Sequence, residues 1–223
     1  HEKALVAVVT LTWGAINSPN GNEILYGAGV KIDTDGGTVS NCVITGNFGG
    51  GYSVGFGAAA MSAKGLFIKC KVVGNSEKSS ISSSRTGRGA GIALVGGRFL
   101  YGTIANNEIR VANGYQTGGG ASMEGGVISH SFITNNYVRA TDYAPAAGGG
   151  GVVVHSAGAV IANSYIAGNS TQSSGGGIKA RAECHIVNCT VVGNTANRFS
   201  GVNILAKTAL AINCVICGNT VTY

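Results

Sequence analysis

Charged side chains make up only 11% of this 223-residue chain, and prolines number two. Disordered chains carry excess charge and too few apolar residues, whereas 44% of these residues are hydrophobic and the mean hydropathy is positive; the composition is that of a folding chain. No apolar run approaches the roughly 20 residues that a membrane-spanning helix needs. No heptad or 3.6-residue pattern of useful length appears, which argues against helical bundles. Groove-reading motifs are missing too. The formal charge of +6 would suit a polyanion, but the basic residues are scattered from Lys3 to Lys207, with only Lys69/Lys71 and Arg85/Arg88 close together, so nucleic acid is not called for as a partner. The apolar stretch Ala4 to Leu11 has no basic start and no small-residue cleavage site, so it reads as a strand and not as a secretion signal.

What the chain has in excess is glycine, 38 residues, and repetition. Asn41-Cys-Val-Ile-Thr-Gly-Asn47 returns as Asn188-Cys-Thr-Val-Val-Gly-Asn194 and as Asn213-Cys-Val-Ile-Cys-Gly-Asn219, with weaker copies between. With Cys42 as marker, the equivalents are Cys70, Asn107, Ser131, Ser164, Cys189 and Cys214, spaced by 28, 37, 24, 33, 25 and 25 residues. A core unit of about two dozen residues stretched by insertions is the signature of a solenoid. Two residues after the marker stand Ile44, Val72, Ile109, Ile133, Ile166, Val191 and Ile216. Three before it stand Val39, Phe67, Ile104, Ile128, Ile161, Ile186 and Ala211. Alternation around the marker means strand, and the three-residue step places a bend near Asn41. Gly46-Asn47 marks a second bend, and a third strand follows glycine clusters such as Gly91-Ile-Ala-Leu94.

Three short strands and three bends per turn predict an all-β, right-handed parallel β-helix, a single-stranded solenoid of about seven coils. Residues 25–223 form the helix, and residues 1–24 are an N-terminal strand, a cap or a donor segment. Asn41, Asn106, Asn163, Asn188 and Asn213 are expected to stack at one bend. Asn47, Asn75, Asn136, Asn169, Asn194 and Asn219 are expected at another, as amide ladders do in parallel stacks. Residues 48–54, 76–88, 137–147 and 170–174 are expected as loops of the third corner.

The runs Gly-Gly-Gly-Val, Gly-Gly-Thr-Val and Asn-Cys-x-Ile-x-Gly-Asn resemble those of secreted bacterial right-handed β-helix repeat proteins, related in pattern to pectate-lyase-like helices and to polymorphic outer-membrane-protein passengers. The resemblance covers roughly residues 25–219 and implies the fold and an extracellular or cell-surface location. It implies no single activity, because the same coil serves enzymes, adhesins and structural fibres.

Candidate chemistry is sparse. Cys214-Val-Ile-Cys217 has no second pair, so zinc is not called for. Cys42/Cys70 and Cys189/Cys214 occupy like positions in consecutive coils, which fits inward reduced thiols or coil-to-coil disulfides, the former preferred. Asp35 and Glu124 share a coil position three coils apart, about 14 Å, beyond the roughly 5–10 Å of paired glycosidase carboxylates. Asp33 and Asp35 read as a solvated turn, and His130, His155 and His185 fall at different coil positions. The sequence therefore calls for no catalytic residue, no metal and no cofactor. It points to a non-catalytic scaffold, adhesin or self-assembling fibre subunit. The expected partners are further copies of itself or an extracellular polysaccharide or cell envelope. Leu5, Val6, Val8, Val9, Val221 and Tyr223 are the candidate assembly ends. The alternative is a polysaccharide lyase or glycoside hydrolase with a cleft built from loops carrying Arg85, Arg88 and Arg139.

Overall fold

The computed structural model describes residues 5–18, 24–26, 28–51, 54–56, 60–79, 89–111, 118–139 and 148–222. Among them every regular element is a strand of two to five residues, and no helix occurs. A single coil shows the plan. Ala60–Ser62, Leu66–Ile68, Lys71–Val73 and Ser76–Ser79 run in succession through four sheets, and the chain then returns to the first sheet one level up at Ile92–Leu94. Every named pairing is parallel. The second, third and fourth sheets hold eight strands each and the first holds seven; Ile24–Tyr26 and Val54–Phe56 add a small pair. The protein is a parallel β-solenoid.

The three expected strands are present, and a fourth follows the Gly-Asn bend. Phe48–Gly51, Ser76–Ser79, Tyr137–Arg139 and Ser170–Ser174 begin segments whose sequences read as loops. Glycine and serine carry no alternation signal, but each strand pairs in parallel with its neighbour and completes the ladder, with a register shift between Thr171 and Ser174 in the last of them. Leu5 to Ser18 likewise supplies three strands and not one: Leu5–Ala7, Thr10–Thr12 and Ala15–Ser18, seated on Thr38–Ser40, Val43–Thr45 and Phe48–Gly51. Their bends fall at Val8 and Trp13, residue types that do not announce a turn.

One coil of the sequence reading is corrected. Val72 pairs with Ile104, and Phe67 with Phe99. The marker position of that coil is therefore Gly102, 32 residues after Cys70 and 29 before Ser131, and Asn107 belongs to the second bend. The reason is steric. A Cβ at Gly102 would lie 2.6 Å from the tip of the Phe99 ring and 2.5 Å from the Cys70 carbonyl oxygen, so the ring fills the space that a thiol or hydroxyl takes elsewhere. Asn106 accordingly leaves the first bend. It stands in the left-handed position held in other coils by Gly46, Gly74, Asn135, Gly168, Gly193 and Gly218.

Inside the coils, columns of like residues form the core: Val39, Phe67, Phe99, Ile128, Ile161 and Ile186 from the second sheet, and Ile44, Val72, Ile104, Ile133, Ile166 and Val191 from the third. At the second bend, Asn47, Asn75, Asn107, Asn136, Asn169, Asn194 and Asn219 form one continuous column. Each Nδ2 donates to the Oδ1 of the next asparagine at 2.9–3.0 Å. The same Oδ1 accepts the main-chain N–H of the asparagine below at 2.9–3.0 Å. Nδ2 also donates to a carbonyl of the coil below, such as Asn136 to Ile104 O at 2.9 Å. Where the chain turns, its own amides leave the strand ladder, and the side chains replace the lost partners.

Removing one rung strands two buried groups at once. Asn136→Ala leaves the Asn107 main-chain N–H and one of the two Asn107 side-chain N–H groups without an acceptor, while the other still reaches Val72 O. At about 1–3 kcal/mol for each such group, chemical denaturation should show a loss of at least about 2 kcal/mol; a loss below about 1 kcal/mol would mean that the column is ornamental.

Candidate binding surface

The marker position is a donor site of the first bend. Cys70 Sγ donates to Ile68 O at 3.4 Å and to Val39 O at 3.3 Å, and Ser131 and Ser164 hydroxyls donate to Ser129 O and Ala162 O at 2.8 and 2.7 Å. Cys42, Cys189 and Cys214 do the same, and all six cysteines are free thiols. Burial pushes the Cys184 and Cys189 thiols up to about 11, away from the thiolate that nucleophilic or metal chemistry requires. Cys217 is exposed. Among the described residues no three His, Cys, Asp or Glu side chains gather in a way that could hold a metal.

Among the described residues the acids do not assemble a pair across coils. It is Asp33, not Asp35, that shares a column with Glu124: the residues following Ile32, Ser62, Leu94 and Met123 are Asp33, Ala63, Val95 and Glu124. The Asp-Thr-Asp-Gly-Gly turn lengthens that coil and shifts the count. The two remain three coils apart. Asp33 is exposed and bonds Lys31 Nζ at 2.7 Å; that hydrogen bond, then the Thr34 N–H, holds its carboxyl below the usual range. Glu124 accepts from Ser156 Oγ at 2.8 Å. Arg139 is exposed beside Arg110, which itself pairs with Glu108 at 2.6 Å; Arg85 and Arg88 lie outside the described residues. Leu5, Val6, Val8 and Val9 are exposed at one end of the stack and Val221 at the other, whereas Tyr223 lies outside the described residues.

Two buried ionisable groups escape any sequence argument. Glu77 points into the solenoid between Gly49 and Ile109. It is 5% exposed, and its Oε2 has no hydrogen-bond partner; burial pushes its carboxyl up to about 8. Lys179 stands between Val153 and Asn203 on the first sheet, all three buried. Burial, and secondarily Arg181, brings its amine down to about 8.

The surface with the most developed side-chain chemistry follows the first bend. The residue before each marker takes a left-handed backbone: Asn41, Lys69, Tyr101, His130, Asn163, Asn188 and Asn213 form an exposed row with φ between 49° and 55°. Tyr101 and His130 stack, ring centroids 4.8 Å apart and 26° between planes, and Ser129 Oγ lies 2.9 Å from His130 Nδ1 and fixes the imidazole. Further along, exposed amides continue the row: Asn188 Nδ2 donates to Asn163 Oδ1 at 3.2 Å and Asn213 Nδ2 to Asn188 Oδ1 at 2.7 Å. Beside them, on the outward face of the third sheet, Phe132 and Tyr165 sit 6.2 Å apart, 57% and 40% exposed. His130, Phe132, Asn163, Tyr165, Asn188 and Thr190 line an open groove of about 390 Å³, and Tyr101 and Asn213 continue the row on either side of it. Sequence reading located the bend but treated its occupants as a framework. The available signal was the departure from asparagine at Tyr101 and His130.

No protein-family profile, curated protein or solved structure matches the chain.

Glu77 gives this interior a pH signature. The folded state holds its proton up to about pH 8, while the unfolded chain releases it near its ordinary value of about 4–4.5. The folded state therefore binds more protons in that window, and stability falls as pH rises through it, by about 1.4 kcal/mol per unit. Glu77→Gln should flatten the curve of stability against pH between 5 and 8 and raise stability at pH 8. Parallel curves for the two chains would show that Glu77 is not the source.

Proposed function

We propose that this chain is a non-catalytic, extracellular or cell-surface β-solenoid of the kind the repeats resemble, secreted bacterial β-helix proteins, working as a scaffold or adhesin. The observation that carries the reading is where its polar chemistry is placed. The buried asparagines, serines and thiols of seven successive coils serve backbone amides and carbonyls at two bends, and the described carboxylates are single, exposed or three coils apart. Such a corner is stiff, and a stiff corner presents side chains at one coil rise, about 4.8 Å, over a long span. Its partners would be an extracellular polysaccharide or cell envelope, or further copies of itself. Self-association suits the same body, since Leu5, Val6, Val8, Val9 and Val221 lie at sheet edges that can accept another parallel strand.

A polysaccharide turnover screen with and without calcium tests this against the lyase or hydrolase alternative. Binding without product release, and filaments in electron micrographs that lengthen with concentration, are the expected results. Product release that disappears on changing Asp33 or Glu124 would make the chain an enzyme and end the non-catalytic reading.

A further inference from the structure

The stripe along the first bend carries more than a general stickiness. Left-handed backbone suits asparagine and strains bulkier residues by about 1–3 kcal/mol each. Four of the seven positions in the row hold asparagine. Lys69 and Tyr101, each with φ 54°, and His130, with φ 50°, do not, and of these only histidine is a type that favours this backbone. Both rings are exposed, stacked on one another and placed beside Phe132 and Tyr165. An exposed tyrosine stacked on a histidine gains little for the core, so the strain is held for a surface.

We propose that this groove, together with the exposed row that continues it on either side, binds a neutral polysaccharide of β-linked pyranose units lying parallel to the solenoid axis, with Tyr101, Phe132 and Tyr165 as ring platforms and the Asn163–Asn188–Asn213 ladder as the hydroxyl-reading edge. The chemistry of the lining selects this class. The face of an aromatic ring is electronegative, and the faces of a pyranose with equatorial hydroxyls present C–H groups of the opposite polarity. Its rim of hydroxyls needs groups that both donate and accept, which side-chain amides and Thr190 supply. The Asn163 side-chain Nδ2 has no acceptor among the described residues, whereas its Oδ1 accepts from Asn188, so a donor stays available at the groove. Of the groove-lining side chains only His130 can carry charge, so an anionic chain finds at most one counter-ion in the lining. A linear glycan also matches the layout, because the platforms and the ladder follow each other from coil to coil. From Tyr101 to Asn213 is four coil steps, about 19 Å, enough to engage several sugar units at once.

The site rests on the non-catalytic reading only for the fate of the bound chain, and one experiment separates the two. Titration of the full chain with cellohexaose and xylohexaose by calorimetry, with the sugars analysed afterwards, should show binding of at least one hexasaccharide at least tenfold tighter than its disaccharide, with the sugar intact. Phe132→Ala/Tyr165→Ala should weaken binding tenfold or more at an unchanged thermal midpoint. Tyr101→Asn should weaken binding while raising the midpoint, a pairing that a purely structural role for Tyr101 would not produce. Absence of hexasaccharide binding, undiminished binding by Phe132→Ala/Tyr165→Ala, or tighter binding of polygalacturonate or an oligonucleotide would each overturn the site and leave the scaffold reading standing. Binding followed by cleavage would overturn the scaffold reading and keep the site.

Discussion

One set of hydrogen bonds fixes everything else: the column of asparagine amides at the second bend. A solenoid of three- and four-residue strands has little to hold each turn closed, because an isolated turn of this size buries almost nothing by itself. The column solves a local problem, the amides and carbonyls left over where the chain changes direction, with partners taken from the coils above and below. Local closure and long-range stacking thus become the same bonds. The inward columns of isoleucine, valine and phenylalanine then have fixed registers, since a slip of one residue would break both the amide column and the core.

That arrangement explains why length varies so freely. The marker and the column asparagine stay five residues apart in each coil from Cys42/Asn47 to Cys214/Asn219, while successive column asparagines are 25 to 33 residues apart, so coil length varies as long as the two bends keep their spacing. Loop closure grows slowly in cost with length. The consequence for function is a division of labour. The first and second bends are constant in backbone, and new chemistry enters by exchanging the outward residue at a fixed point, as Tyr101 and His130 do.

Much of this was legible in the sequence because stacked coils repeat their constraints. Val39, Cys42, Ile44 and Asn47 return often enough to reveal core, donor and bend positions. Legibility failed where a coil used a different solution. In one coil Phe99 fills the marker space, Gly102 replaces the thiol, and the Asn106-Asn107 doublet offers two equally good registers; only strand pairing decides between them. Glu77 sits in a stretch that reads as a polar loop, yet parallel pairing turns it inward. The groove was overlooked for another reason: its residues lie 25 to 33 positions apart in adjoining coils, and although Phe132 and Tyr165 each follow a marker serine, period-2 alternation sorts such residues only as outward and does not say which of them gather into a surface.

The amide column also has a sense. In each of the six asparagine pairs the Nδ2 of the N-terminal member donates to the Oδ1 of the C-terminal member, and every Oδ1 accepts from the N-terminal side, beginning with the Gly14 N–H on Asn47. Dipoles aligned in series polarise one another, so the corner behaves as a one-way wire of amides, the side-chain counterpart of a helix axis. A strand arriving beyond Asn219 meets a donor, and one arriving below Gly14 meets the opposite face of the row. Two such bodies set head to head would oppose like ends. Whatever extends this solenoid, another coil or another molecule, therefore adds to it vectorially.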